Sequence, residues 1–140
     1  FFATTGIEIV TTDEPRAYYA IDKDHIHMPP ISTFFSASEY YGVLGHESCH
    51  STGAKHRLDR LTTYADREAY AFEELVAEIG ASILAVQLEY EPHFDQCAAY
   101  IEGWLEALRK DRDMIFKAAA EAQKAVDLLL RAANSQDAAA

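Results

Sequence analysis

Cysteine is scarce in this chain: Cys49 and Cys97 are the only two among 140 residues, too few for a disulfide framework. Basic residues are also few. Twelve Lys and Arg stand against 23 Asp and Glu, a formal charge of -11. A protein that reads nucleic-acid backbones draws its affinity from clustered Lys and Arg, so direct nucleic-acid binding is not expected here. No apolar run reaches the roughly 18 residues that a membrane-spanning helix requires. No segment with the basic, apolar and small-residue order of a secretion signal opens the chain. These absences lead to the expectation of a cytoplasmic protein that does not enter a membrane. An initiating Met is absent too, the first residue being Phe1, which reads as a domain of something longer.

What is present is ordinary globular material, 49% hydrophobic and 25% charged, in a length that suits one domain. That domain is expected over residues 1–133, with 134–140 as a frayed tail that has no anchoring side chain. The first 30 residues hold short β-branched and aromatic stretches around Ile7 and Ile9, Ala17 to Ile21, and Ile26 with Met28. Clusters of Asp, Glu, Lys and Pro separate them, which predicts three short strands in a meander ending at an edge. From Ser36 onward the apolar period is helical. Ser36 followed by Glu39 matches a capping box, and Gly53 stands where a left-handed residue would stop a helix running to about Ser51. Further helices are expected over about Asp66 to Leu88, along the stripe Cys97, Tyr100, Ile101, Trp104, Leu105 and Leu108, and over about Asp113 to Ala133.

The first of these helices carries His46-Glu47-Ser48-Cys49-His50, an H-E-x-x-H string. Residues four apart share a helix face, so both imidazoles can reach one Zn²⁺ while Glu47 beside them contacts the activated water. Such a string also arises by chance, and its context has to decide. The next helix contains Glu73, Glu74 and Glu78 on an otherwise nearly all-apolar surface. Glu74 and Glu78 lie within about 40° of each other. Two stacked carboxylates on a buried helix repel and cost several kcal/mol in desolvation unless a cation or strong donors compensate, by about the amounts known for buried ions. With Glu74 as third ligand, Glu78 one turn on would accept the free ring N–H of a ligating histidine. The plainer alternative is that one carboxylate pairs with Arg67 or Arg57.

A rival third ligand is His56. His46 to His56 also reads H-E-x-x-H-x-x-G-x-x-H, the metzincin signature. That class needs a Met in a tight turn, and the only downstream Met, Met114, sits in a helical context. The His56 reading also leaves the two carboxylates unexplained, so Glu74 is preferred.

The order of elements resembles a known family. Asp24-His25-Ile26-His27-Met28-Pro29-Pro30 is followed by His46 to Gly53, then Arg57-Leu58-Asp59-Arg60, then Tyr70 to Gly80 with its Glu-Leu-Val-Ala-Glu segment. This is similar to the zincin-like metallopeptidase domain of ArdC-type plasmid antirestriction proteins, also found in TraC-like primases, and the likeness runs to about residue 132. The resemblance implies an α+β zincin-like metallopeptidase fold, a small N-terminal sheet on about four helices with H-E-x-x-H on the first long one. It implies a protein or peptide substrate, a role against restriction, and a separate N-terminal DNA-binding domain that this chain lacks. The family pattern carries onto His46, Glu47 and His50 directly and onto Glu74 through the Glu-Leu-Val-Ala-Glu segment. Where this chain has His56 the pattern more often has a small polar residue, so its metzincin register is read as accidental.

The expected reaction is zinc-dependent peptide hydrolysis, with His46, His50 and Glu74 on the metal, Glu47 as general base and Glu78 orienting a ligand. The alternative is a non-catalytic, zinc-containing module that inhibits restriction by association. His25 and His27 would share one side of the supposed edge strand, as cleft-lining groups or as a solvated face. Tyr64, Tyr70 and His56 are candidates for the group that stabilises the oxyanion. Cys49 is expected in the core, and Arg57 and Arg60 as anchoring charges.

Overall fold

The computed structural model describes residues 1–61, 67–91, 105 and 108–137. Three strands, β1 (Glu8–Thr11), β2 (Tyr18–Ala20) and β3 (His25–Met28), form one sheet in the order β1-β3-β2. β1 runs parallel to β3, with Ile9 opposite Ile26, and β2 runs antiparallel to it, with Tyr19 opposite Ile26. The expected meander does not form, and β3 is the central strand, not the edge. The cause lies in the connection between β1 and β2, which holds Pro15 and is too long for a tight hairpin. It is pinned by the His27 ring, whose Nδ1 lies 2.8 Å from the Arg16 carbonyl and whose Nε2 lies 2.7 Å from Thr12 Oγ1. A carbonyl only accepts, so Nδ1 carries the proton and the Thr12 hydroxyl donates to Nε2.

The β2–β3 turn is tight: Lys23 N–H donates to the Ala20 carbonyl, and Asp24 takes a left-handed φ of 52°, which Asp tolerates better than most residues. The Asp24 carboxylate accepts from the Tyr19 hydroxyl at 2.6 Å and from Arg57 Nη1 and Nη2 at 2.6 and 3.0 Å. Arg57 thereby ties the sheet to the segment that leaves the first helix.

That helix, α1 (Ala37–Thr52), starts as expected. Ser36 Oγ accepts from Glu39 N–H, and the Glu39 carboxylate reaches back to Phe35 N–H. Its end differs from expectation, because Gly53 has a right-handed φ of -77°. A Cβ there would lie 2.9 Å from Leu61 Cγ and 3.2 Å from Arg60 Nη2. Glycine is required by close approach, as the chain folds back so that Arg60 and Leu61 N–H both bond the Gly53 carbonyl.

α2 (Arg67–Gln87) follows close to its expected span and lies between α1 and α3 (Met114–Asp137). Contact with α1 is near enough that a Cβ on Gly80 would sit 2.6 Å from Cys49 Sγ. α3 offers a stripe of small side chains, Ala118, Ala122, Ala125 and Val126, all fully buried, so the two helices approach closely. α3 continues past the end expected at Ala133 to Asp137, with Ser135 Oγ donating to the Arg131 carbonyl. Residues 138–140 lie outside the described residues. So does most of the helix expected around Cys97 to Leu108, although 108–110 are helical. No helix of the described residues is long and apolar enough to cross a membrane.

A second apolar cluster joins the sheet to α1 through Tyr19, Ile26, Met28, Leu44 and Leu61. Ile26 and Met28 are fully buried, contributing about 1.5–3 kcal/mol each. This cluster fixes the sheet beside the middle of α1, where the H-E-x-x-H string lies.

Candidate metal centre

α1 presents His46 and His50 to the face of α2 that carries Glu74. One ligand atom from each of His46, His50 and Glu74 can be chosen so that all lie within 4.8 Å of one another. His46 Nε2 is 3.0 Å from His50 Nε2 and 3.6 Å from Glu74 Oε2, and His50 Nε2 is 3.5 Å from Glu74 Oε1. The other ring nitrogens face different carboxylates. His50 Nδ1 is 3.2 Å from Glu73 Oε1. His46 Nδ1 is 3.3 Å from Glu78 Oε1, within ion-pair distance but off the line of a hydrogen bond.

These partners decide what the site can hold. His50 Nδ1, facing the Glu73 carboxylate, carries a proton, and the Nε2 atoms of the two rings meet at 3.0 Å. A proton or a metal ion must lie between them. Glu74 Oε2, buried and without a hydrogen-bond partner, faces the same point. Two imidazoles and a carboxylate with one side open to a cleft are a donor set that fits a divalent transition metal.

When protons are the only cations there, the electrostatics show the same demand. Burial pushes the His46 pKa down, but the carboxylates of Glu74, Glu78 and Glu47 more than reverse this and raise it to about 10. His50 is raised as well, burial being outweighed by Glu73 and Glu74. Burial raises Glu74, yet the two histidines hold it well below the usual carboxylate range. The site is a buried excess of negative charge.

A cleft of about 280 Å³ opens onto this cluster. His46, Glu47, His50, Tyr70 and Glu74 form its helical wall, and Ala17, Tyr18, Tyr19 and Ile21, on and beside β2, form the other. The structure thus brings Glu47 to the same cleft as His46, His50 and Glu74, with Glu78 behind His46.

Of the remaining candidates it brings Tyr70 there, and the others that it describes lie elsewhere. His56 is 60% exposed and pairs with Asp24 at 3.2 Å. His27, on the central strand, is buried by its bonds to the β1–β2 connection and by stacking on Tyr18. His25 lies on the same central strand and is not among the residues lining the cleft. Of the oxyanion candidates Tyr70 lines the cleft, and Tyr64 lies outside the described residues. Met114 opens α3 and forms no turn beneath the site. Cys49 is fully buried in the apolar core, where its thiol is pushed up to about 12. Arg57 pairs with Asp24, not with α2.

One functional contact escaped the sequence reading. Glu73 on α2 has an arginine partner, and the arginine is Arg60. Glu73 is as poorly placed in an apolar helix as Glu74, so the same burial argument applied to it would have called for a cation.

The matching of such a site to this fold has a counterpart in sequence. The chain belongs to the zincin-like metallopeptidase family, whose model matches residues 1–121. In solved structures it is similar to the antirestriction ArdC protein from the R388 plasmid. Against the Mn(II)-bound structure of that protein the TM-score is 0.88 at 57% identity, covering 94% of this chain and 50% of that one. Against its metal-free structure the TM-score is 0.89 at 57% identity, covering 96% and 49%. The chain is also 43% identical over 130 residues to the uncharacterized protein y4eC of Sinorhizobium fredii, and 42% identical over 129 residues to the DNA primase TraC of Escherichia coli. Each alignment covers 91% of this chain, but 42% of the first relative and 12% of the second. The chain therefore spans half or less of the length of these relatives.

Proposed function

We propose that this chain is the peptide-hydrolysing domain of a plasmid-type antirestriction protein, using zinc held by His46, His50 and Glu74. One observation carries the reading: Glu47 lines the same cleft as those three residues, opposite the wall formed by β2. A cation bound there supplies Lewis acidity for a scissile carbonyl and acidifies a water. Zinc is favoured because two histidines and a glutamate with an open position are a common catalytic set for it.

The chain's own groups do the rest. Glu47 takes the proton of the attacking water and returns it to the departing amine. Glu73 accepts the Nδ1 proton of His50, and Glu78 stands 3.3 Å from Nδ1 of His46, so a carboxylate lies on the Nδ1 side of each ring and Nε2 is left for the cation. β2 is an edge strand of the sheet, the one that lines the cleft, and among the described residues no strand pairs with its outer side. Its backbone suits an extended peptide, which would add as a further strand and bring one peptide bond over Glu47. Direct contact with nucleic acid is not assigned to this chain.

The test is Glu47→Gln in the full-length protein, with metal content, proteolysis and protection of incoming DNA measured together. Metal is expected to be retained while hydrolysis falls by about 10²–10⁴-fold, and protection falls with it. If Glu47→Gln holds metal and protects DNA as well as the parent, the peptidase reading fails and inhibition by association takes its place.

A further inference from the structure

The reading above gives Glu73 the task of facing His50, but its environment is more elaborate than that task alone requires. Glu73 is 2% exposed, deep enough that an uncompensated carboxylate would cost several kcal/mol, as for about any buried ion. Arg60 meets it with two donors, Nε to Oε2 at 2.9 Å and Nη2 to Oε1 at 3.0 Å. The Arg60 side chain is itself only 7% exposed. It also bonds the last turn of α1, Nη2 to the Cys49 carbonyl at 3.0 Å and Nη1 to Thr52 Oγ1 at 3.1 Å. Arg60 is brought there by the chain folding back onto the Gly53 carbonyl, the close approach that excludes a side chain at Gly53. One guanidinium thus joins α1, α2 and the segment between them, directly behind His50.

The chemistry of the pair dictates one ring state. Guanidinium groups only donate, so Glu73 Oε1, already accepting from Arg60 Nη2, can meet His50 only as an acceptor. His50 Nδ1 must then carry a proton, and in the neutral ring Nε2 is the free nitrogen, 3.0 Å from His46 Nε2. A lysine would supply charge without the fork that holds both oxygens in plane.

The geometry points to Arg60 and Glu73 as positioning residues that fix the tautomer and orientation of His50 and so set the affinity of the site for a divalent cation. This rests on His46, His50 and Glu74 being the ligands. It differs from a purely structural ion pair in what it predicts. Replacing both charges of a buried pair with apolar groups of similar size is often neutral or stabilising. Losing the carboxylate behind a ligating histidine costs about 10–100-fold in metal affinity.

The experiment uses the full chain, with Zn²⁺ affinity measured by chelator competition, the Co²⁺ absorption spectrum, and thermal melts of the metal-free protein. The double variant Arg60→Met with Glu73→Met is expected to melt at or above the parent temperature. It should bind Zn²⁺ about 10–100-fold more weakly and show an altered Co²⁺ spectrum. Glu73→Gln, whose amide oxygen still accepts from Nδ1, should lose less than the double variant. A folded double variant with parental affinity and an unchanged Co²⁺ spectrum overturns the inference. Should the double variant not fold, Arg60→Lys and Glu73→Gln decide: both weaker than the parent supports it, and both equal to the parent overturns it. His50→Ala is run beside them. Parental affinity in that variant would instead overturn the ligand assignment beneath the proposal.

Discussion

α2 meets α1 with one face and α3 with another, and although Cys49 packs on Ala77 and Gly80 in the first, the buried charge of the two interfaces differs. Toward α3 it sets Leu75, Val76 and Leu84 against Ala118, Ala122, Val126 and Leu129, with no charge among them. Toward α1 it sets Glu73, Glu74 and Glu78 against His46 and His50. Both faces bury side chains, but burial is favourable only on the first. The charged face is held together by the cations it attracts and the apolar face by exclusion of water. The two should therefore fail in different ways when altered.

The largest expected effect falls on the charged face. Glu74→Ala abolishes tight binding of a divalent metal while the helical circular dichroism remains, and equilibrium dialysis with metal analysis reads this directly. On the apolar face Leu129→Ala should cost about 2–5 kcal/mol of stability in denaturant unfolding, with the metal affinity of the folded protein unchanged. Loss of metal affinity in Leu129→Ala would mean that the two faces are coupled.

The pH response sharpens the contrast. His46 holds its proton up to about 10 in the folded chain when no metal is present, against an ordinary value of 6.5. A raised pKa contributes stability that is complete below the unfolded value and disappears as pH rises through the folded one. The metal-free protein is thus expected to lose melting temperature between pH 6.5 and about 10. Metal must displace that proton, so metal affinity should rise over the same interval. A metal-free melting temperature that climbs across it would contradict the assignment.

Gly80→Ala tests the α1–α2 contact away from the charges. Its Cβ would meet Cys49 Sγ at 2.6 Å, and a loss of about 1–3 kcal/mol is expected by thermal melts. The smallest effect is that of Lys124→Ala, which breaks an exposed pair with Glu121 and should stay within about 0.5 kcal/mol.

Local signals in the sequence were sufficient for α1 and α2. The Ser36–Glu39 box, the four-residue histidine spacing and the carboxylates on an apolar helix all act within a few residues of chain, and the structure brings His46, His50, Glu74 and Glu78 together as their spacing suggests. What was not legible depends on contacts between distant residues. Strand order follows from the His27 ring reaching Thr12 and Arg16, which no strand pattern encodes. Gly53 reads as a left-handed stop until Leu61 and Arg60 are seen against it. No local spacing gives Glu73 a partner, because its cation, Arg60, comes from the far side of a loop. Arg57 and Arg60, three residues apart, look interchangeable in sequence, yet one ties down the β2–β3 turn and the other stands behind His50.

The central claim is that His46, His50 and Glu74, and not His56, hold the metal. It is tested most directly by metal content per chain after exhaustive dialysis of the parent, Glu74→Ala and His56→Ala. Equal zinc is expected in the parent and His56→Ala, and none in Glu74→Ala. Full zinc in Glu74→Ala with its loss in His56→Ala would contradict the claim.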